Sequence, residues 1–214
     1  NDAPTASNNT VTTNEDTDHT FAASEFGFTD VDGDSLDHVS IETLPSNGTL
    51  LLSGSAVSAG DQISAANITN LVFRPAANAN GSGYGSFTFS VNDGTVDSSS
   101  TYTMTVDVTA VNDAPTASNN TVTTNEDTTY TFTADDFNFS DVDGDTLSSV
   151  TVSALSGSDG TFSLNGTAIT GSTTVTKTQI DNGQLTFAPD SNENGSNYNT
   201  FTFTVNDGTT NSSS

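Results

Sequence analysis

The most informative feature of this 214-residue chain is that a segment of about 110 residues occurs twice. Residues Asn1–Thr17 recur unchanged as Asn112–Thr128, a shift of 111 residues. Later motifs recur at the same shift and then, after three inserted residues, at a shift of 114. A repeat of this length has the ordinary size of a single domain. The sequence therefore predicts two domains of one fold, residues 1–111 and 112–214.

Within each repeat, apolar and polar residues alternate, which is the pattern of a half-buried β-strand. Phe87, Phe89 and Val91 alternate with Thr88 and Ser90, for example. Turn-forming residues separate such runs at roughly ten-residue spacing, and seven short strands in one domain are typical of an immunoglobulin-like sandwich. We therefore predict an all-β chain of two tandem Greek-key β-sandwiches. The predicted strands of the first repeat are Thr10–Thr13, Thr20–Ala22, Val39–Leu44, Thr49–Leu52, Leu71–Arg74, Phe87–Val91 and Thr101–Ala110.

The two repeats differ in their last segment. The first continues from Ser100 into the predicted strand Thr101–Ala110, whereas Ser214 is the counterpart of Ser100. The second sandwich is therefore expected to lack its last strand, which leaves the predicted strand Phe201–Val205 with an unpaired edge. Because the sequence begins and ends within the repeated motif, we expect it to be a piece of a longer protein.

Composition excludes several classes of function. The chain has 27 Asp and Glu against 2 Lys and Arg, a formal net charge of −25, and such a surface repels nucleic acid and anionic membranes. Without cysteine there is no disulfide, thiol nucleophile or thiolate metal site. No apolar run approaches the ~18 residues of a membrane span, and no signal peptide opens the sequence. We expect no nucleic-acid partner and no membrane insertion.

Sixteen of the 27 acidic residues occupy matching positions in the two repeats, which a merely solubilising or salt-adapted surface does not require. Alternate carboxylates such as Asp30, Asp32 and Asp34 repel one another unless a cation binds them. Ca²⁺ takes 6–8 oxygen ligands at about 2.3–2.6 Å, whereas Mg²⁺ prefers to keep its waters, so Ca²⁺ is the predicted cofactor. The solubilising surface remains the alternative. The pairs across the repeats are Asp2/Asp113, Glu15/Glu126, Asp16/Asp127, Glu25/Asp136, Asp30/Asp141, Asp32/Asp143, Asp34/Asp145 and Asp93/Asp207.

The Asp30–Asp34 motif is not an EF-hand. That calcium loop has glycine at its sixth position and glutamate at its twelfth. Counted from Asp30, Gly33 is at the fourth position and Ile41 at the twelfth, and no long helical pattern flanks the motif. The ion is therefore expected between loops of a β fold.

These loops resemble those of cadherins. Val111-Asn-Asp-Ala-Pro115 resembles the linker that ends a cadherin repeat, and Asn14-Glu15 resembles the acidic motif near the end of the first strand. Asp30-Val-Asp32 resembles the paired-aspartate motif, and Asn92-Asp-Gly94 the later Asp-Gly motif. The complete string is most similar to the cadherin-like tandem repeats of giant bacterial surface adhesins, the extender domains of biofilm adhesins.

The resemblance implies cadherin-like sandwiches with Ca²⁺ at the junction between successive domains. It also implies fewer ions than the three of cadherins, one or two, because Ala110 stands where the cadherin linker has an aspartate. A site formed mostly within the top loops of one domain stays open. The ligands that the resemblance implies are Glu15, Asn112, Asp113, Asp141, Asp143 and Asp207, with Asp2, Asp30, Asp32 and Asp93 as counterparts in or before the first repeat.

The function implied by this resemblance is structural. The chain is expected to form calcium-binding extender repeats of a secreted bacterial adhesin, with neighbouring repeats of the same polypeptide as partners and the bacterial cell surface as location. The alternative is that the repeats themselves bind a cell-surface glycan or a like repeat. An enzyme is not expected, because the paired carboxylates lie in polar loops without a nucleophile–base pair. Phe26, Phe28 and Tyr84 are expected in the core rather than in a sugar-binding platform.

Overall fold

The computed structural model describes residues 1–213, and the chain divides into two compact units, Asn1–Val111 and Asn112–Ser214. No helix in the described part is long and apolar enough to cross a membrane. The helical segments are the 3-10 turns Ala23–Phe26, Ala65–Asn70 and Ala134–Phe137 and the α-helix α1, Lys177–Asp181. The strands are β1 Asn9–Asn14, β2 His19–Thr20, β3 His38–Ile41, β4 Thr49–Leu52, β5 Ser55–Ala56, β6 Gln62–Ser64, β7 Leu71–Arg74, β8 Gly81–Asn92, β9 Tyr102–Thr109, β10 Tyr130–Thr131, β11 Ser149–Val152, β12 Thr161–Leu164, β13 Thr167–Ala168, β14 Thr173–Thr176, β15 Leu185–Ala188 and β16 Phe203–Asn206.

Unit 1 is a sandwich of two sheets, with strand orders β1-β9-β8-β3-β6 and β2-β7-β4-β5. Strands β1 and β9 pair in parallel, and the other pairs are antiparallel. Successive strands cross from one sheet to the other, except at the hairpins β4–β5 and β8–β9, which gives an immunoglobulin-like sandwich. The predicted all-β class of tandem sandwiches is confirmed.

The core of unit 1 lies between these sheets and is rich in phenylalanine. Phe87, Phe89 and Val91 of β8 are at most 1% exposed, which is the inward half of the alternation in the sequence. The rings of Phe26 and Phe89 meet edge to face with centroids 4.9 Å apart, a favourable geometry for aromatic pairs. Phe26 is fully buried, and Phe28 and Tyr84 pack against the same core as expected.

Unit 2 has the same plan with fewer strands. Its sheets are β10-β15-β12-β13 and β14-β11-β16, which correspond to β2-β7-β4-β5 and β6-β3-β8 of unit 1. Among residues 112–213, no strand is the counterpart of β1 or of β9. The predicted strand Phe201–Val205 is instead the shorter β16, because its residues pair with β11 on one side without a second strand on the other.

A glycine precedes β4 in unit 1 and its counterpart β12 in unit 2, because a side chain at either position has no space. Gly48 has φ of 73°, and a Cβ atom on it would lie 2.3 Å from the Phe73 ring. Gly160, with φ of 84°, would place a Cβ atom 2.6 Å from the ring of Phe187. Both the left-handed backbone and the close approach of the ring therefore require glycine.

We expect the two units to unfold in separate transitions, with unit 2 first, because its core is covered by fewer strands. Gly160→Ala should lower the first transition and Gly48→Ala the second, since strain at such a position costs about 1–3 kcal/mol before the ring contact is counted. Differential scanning calorimetry of the two variants assigns the transitions. If Gly48→Ala lowers the first transition, unit 1 is the less stable half.

Candidate metal centre

The carboxylate of Asp30 organises the first acidic loop. Its Oδ1 atom accepts hydrogen bonds from the backbone N–H groups of Asp32 (2.8 Å) and Asp34 (3.1 Å). Gly33, at φ of 84°, allows the tight turn between them. As a result, one carboxylate oxygen from each of the three aspartates lies within 4.8 Å of the others.

The second repeat builds the same loop from the same residue pattern. Asp141 Oδ1 accepts from the N–H groups of Asp143 (2.9 Å) and Asp145 (3.1 Å). The oxygens of these three aspartates also converge within 4.8 Å. The geometry therefore belongs to the Asp-Val-Asp-Gly-Asp motif itself and does not depend on the rest of either unit.

The second oxygen of the organising aspartate is buried without a hydrogen-bond donor in each loop. Asp30 Oδ2 and Asp141 Oδ2 are both inaccessible to solvent, and no described residue donates to either. A buried carboxylate oxygen without a partner is costly. A hard cation would provide one, and an all-oxygen set of three carboxylates is the donor set that Ca²⁺ prefers. The residues of both loops fit this ion.

The first two residues of each repeat are held against the acidic loops. In unit 1 the Asp2 N–H donates to Asp32 Oδ2 (2.6 Å), and the Asn1 side-chain amide donates to Asp93 Oδ2 (2.8 Å). Each cluster thus joins three segments that are distant in sequence. The equivalent bonds in unit 2 are Asp113 N–H to Asp143 Oδ2 (2.7 Å) and Asn112 Nδ2 to Asp207 Oδ2 (3.0 Å).

The third segment of each cluster is a turn held by one aspartate. Asp93 Oδ1 accepts from the N–H groups of Thr95 (2.7 Å) and Val96 (2.8 Å). Hydrogen bonds to the ionised form, from Asn1 first and then from Val96, lower the pKa of Asp93 below its usual 3.8. In unit 2 the N–H of Thr210 and the Asn112 amide lower the pKa of Asp207 in the same way. Both side chains are therefore anionic at neutral pH.

Glu15 has different partners from the acids of the first cluster. It is 3% exposed, and its two oxygens accept from the Asn80 side-chain amide (3.0 Å) and the Val111 N–H (2.6 Å). These bonds, with that from Asn80 the larger effect, lower the pKa of Glu15. Glu15 therefore ties the end of β1 to the last residue of unit 1. Its role as a metal ligand remains a prediction.

Both basic residues of the chain form ion pairs elsewhere. Arg74 binds Asp18 through two hydrogen bonds of 2.9 and 2.7 Å. Lys177 binds Asp181, four residues later in α1, at 2.6 Å. The excess negative charge of the acidic loops is therefore not balanced by a lysine or an arginine.

Nine of the ten predicted ligands lie in two clusters, one in each unit. Asp2, Asp30, Asp32 and Asp93 belong to the first cluster, although Asp2 joins it through its backbone N–H. Asp34 and Asp145 were not among the predicted ligands, yet each adds a converging carboxylate. The regular Asp-x-Asp-x-Asp spacing was the signal for them. The members in unit 2 are Asn112, Asp113, Asp141, Asp143 and Asp207.

Two similar β-sandwiches with repeated acidic loops define a protein made of immunoglobulin-like structural repeats. The model of the bacterial Ig domain family matches residues 1–109 and 112–214, so the chain belongs to this family. Domains of this kind are usually non-catalytic. The coarser part of the resemblance, a bacterial immunoglobulin- or cadherin-like repeat, is thereby confirmed.

Comparisons with individual proteins add no function. No curated protein matches the chain. Among solved structures, the endo-fucoidan hydrolase MfFcnA4 of glycoside hydrolase family 107 and a variant of it each match at 22% identity and a TM-score of 0.33. The match covers 98% of this chain but 27% of the hydrolase. A score this low assigns neither the fold nor the activity of the hydrolase to this chain.

The lowered pKa values of Asp93 and Asp207 predict a loss of stability in acid. A carboxyl with a lower pKa in the folded state stabilises the fold above its unfolded-state pKa, near 3.9, and this contribution disappears as pH falls through the folded-state value. Asp207→Asn should therefore reduce the stability of unit 2 at pH 6 and have less effect near pH 2. Urea unfolding without calcium measures this difference.

The matched control is Asp159→Asn, which replaces an exposed aspartate whose carboxylate accepts a hydrogen bond from Ser158. Its stability difference from the wild type should change little between pH 6 and pH 2. Equal pH dependence in the two variants would mean that general repulsion among acids, rather than the hydrogen bonds of Asp207, governs the acid response.

Proposed function

We propose that each repeat binds Ca²⁺ at its acidic loop and that the chain serves as extender repeats of a secreted bacterial adhesin. The observation that carries the proposal is the recurrence of one arrangement in both units. Three carboxylates converge within 4.8 Å, and the buried oxygen of Asp30 or Asp141 has no donor in the described chain. A cation placed there offsets the repulsion among the carboxylates and provides the buried oxygen with a partner.

The charge balance supports the same proposal. The chain has a formal charge of −25, and its arginine and lysine pair with Asp18 and Asp181, away from the loops. Each bound Ca²⁺ would neutralise two charges at the point where the carboxylates are most crowded. An ion that binds the folded loops and not the unfolded chain stabilises the fold by mass action.

The proposed location is outside the cell, at the bacterial surface. Exposed loops with a few carboxylates typically bind calcium with dissociation constants of about 10⁻⁴–10⁻³ M, as extracellular modules do. External calcium in the millimolar range would fill such sites, whereas the cytosol would leave them empty. The proposed adhesion and biofilm role rests on the resemblance to bacterial adhesin repeats.

The proposed mechanical role follows from the segment that connects the repeats. The Val111 N–H is bound by Glu15 in unit 1, and the Asp113 N–H is bound by Asp143 in unit 2. An ion held by Asp141 and Asp143 would strengthen the second of these anchors. Calcium would then restrict the connecting residues and stiffen an array in which neighbouring repeats of the same polypeptide are the partners.

The alternative of a glycan-binding repeat lacks the feature that would favour it. Sugar-binding surfaces commonly present exposed aromatic rings. Over residues 1–213, the large hydrophobic side chains that are exposed are valines and one leucine, with no aromatic ring among them. Phe28 and Tyr84 pack against the core of unit 1.

Calcium should raise the melting temperature much more than sodium chloride of equal ionic strength. At a calcium concentration ~100-fold above Kd, each site contributes about 2.7 kcal/mol. Asp30→Asn should remove most of the calcium-dependent shift of unit 1, and Asp141→Asn that of unit 2. Asp159→Asn, an exposed substitution outside the loops, should leave both shifts intact. Calorimetric scans with calcium, sodium and a chelator measure the shifts.

Two outcomes would contradict this proposal. Equal shifts in calcium and in sodium would mean that salt acts by screening alone. A calcium shift that survives in the Asp30→Asn/Asp141→Asn double variant would mean that the ion binds elsewhere in the chain.

Asp143→Ala should release the connecting segment without unfolding either domain, since it removes one ligand and the anchor of the Asp113 N–H. Small-angle scattering of the wild type should show a narrower length distribution as calcium is added. The variant should need about tenfold more calcium, because affinity depends on the number of charged ligands.

Asp32→Ala is the matched control for this experiment. It makes the same change at the equivalent position of unit 1, where the anchored residue is Asp2 rather than the connecting segment. It should weaken the site of unit 1 about tenfold and keep the wild-type scattering response. If the length distribution of Asp143→Ala narrows at the same calcium concentration as that of the wild type, the loop of unit 2 does not stiffen the chain.

A further inference from the structure

One asparagine of unit 1 combines a reactive sequence with a structural role. Asn80 is exposed and is followed by Gly81. Asparagine is thermolabile in proteins, and in an Asn-Gly pair the backbone nitrogen of the glycine can approach the side-chain carbonyl carbon because no Cβ atom obstructs it. The chain has five such pairs, which begin at Asn47, Asn80, Asn165, Asn182 and Asn194.

Two of these pairs occupy corresponding positions in the repeats and make the same contact. The Asn80 side-chain amide donates a hydrogen bond to Glu15 Oε2 at 3.0 Å. Its counterpart Asn194, 114 residues later, donates to Glu126 Oε2 at 3.4 Å. The contact between the asparagine and the glutamate therefore belongs to the plan of the repeat.

In unit 1 this contact supports the hold of Glu15 on Val111. Glu15 is 3% exposed, and its Oε1 atom accepts the Val111 N–H at 2.6 Å. The bond from the Asn80 amide is the largest cause of the lowered pKa of Glu15, since a donor stabilises the ionised carboxylate. Asn80 thus helps to keep this carboxylate ionised and in place.

The backbone beside Asn80 is irregularly paired. The register between β8 and β9 shifts between Gly81 and Gly85, and Gly83 within this interval has φ of 60°. An interrupted ladder opens locally more easily than a continuous one. Such an opening would free the Asn80 amide from Glu15 and allow it to turn towards the Gly81 nitrogen.

We propose that Asn80 is a site of spontaneous deamidation and that the reaction releases the hold of Glu15 on Val111. The Gly81 nitrogen forms a bond to Asn80 Cγ, and its proton passes through water to the side-chain nitrogen. The Cγ–Nδ2 bond breaks, and ammonia leaves. Water then opens the cyclic imide and leaves aspartate or isoaspartate at position 80. Water is the co-reactant, nothing is oxidised or reduced, and the inference does not depend on calcium binding.

The reaction replaces a hydrogen-bond donor by an acceptor. An ionised carboxylate only accepts hydrogen bonds, whereas the amide of asparagine donates them. The 3.0 Å contact with Glu15 would then join two carboxylates, and solvent screens a buried charge poorly. Repulsion would displace Glu15 or favour its protonated form, and either change weakens the bond to the Val111 N–H. Isoaspartate would also lengthen the main chain where β8 begins.

The first test is to age the full folded chain in mildly alkaline buffer and to map its peptides by mass spectrometry. Asn80 should convert, whereas Asn78, which is exposed in the same loop but followed by alanine, should stay intact. Gly81→Ala should slow the conversion several-fold, and a Cβ atom at that position meets no atom within 4 Å. Equal conversion of Asn78 would overturn the inference. So would an intact Asn80 after an unfolded peptide of residues 76–85 has fully converted.

The second test measures hydrogen exchange of the Val111 N–H by NMR. Exchange should be several-fold faster in Asn80→Asp and in the deamidated fraction of aged wild type, which ion exchange separates by its added charge. Asn78→Asp is the matched control, because it adds the same charge two residues earlier and leaves the bond to Glu15 intact. It should exchange at the wild-type rate. If the deamidated fraction also exchanges at the wild-type rate, residue 80 does not control the hold of Glu15 on Val111.

Discussion

The cover that β9 provides over Phe87 and Phe89 of β8 is the contact on which the five-stranded sheet of unit 1 depends. Strand β9 pairs with β8 on one side and with β1 on the other, and its inward residues close the core. In unit 2, where no described residues occupy its position, the counterpart of β1 forms no strand and that of β8 shortens to Phe203–Asn206. Strand β9 is the neighbour that both β1 and β8 pair with. The extent of these two strands therefore depends on a segment that is distant from β1 in the sequence.

The acidic loops form in the same way whether or not a strand occupies the position of β9. The hydrogen bonds of Asp141 in unit 2 match those of Asp30 in unit 1 within 0.1 Å, although the sandwich below them has fewer strands. Their geometry comes from local bonds between a carboxylate and nearby N–H groups. A proposed ion site of this kind can recur along an array without requiring identical cores.

Local pattern predicted the parts of the structure that local interactions determine. The strands Thr49–Leu52 and Leu71–Arg74 have the bounds that alternation and turn residues indicate. Strands β5 and β6 were missed, because runs of two or three residues carry no period. The bond between Asn1 and Asp93 was equally hidden, since it joins residues 92 positions apart. Glu15 was assigned by resemblance as a ligand, and its hydrogen bonds to Asn80 and Val111 could not be read from the sequence.

The identity of Asn9–Asn14 with Asn120–Asn125 has a consequence for how the chain reaches its fold. In the unfolded chain, β9 can pair in parallel with either of two identical segments, Asn9–Asn14 before it or Asn120–Asn125 after it. Synthesis from the amino terminus distinguishes them, because the first copy and β9 leave the ribosome before the second copy is made. Refolding from denaturant offers no such order. Strand exchange between neighbours is therefore an intrinsic hazard of repeating a domain with so few differences, and it grows with the number of copies.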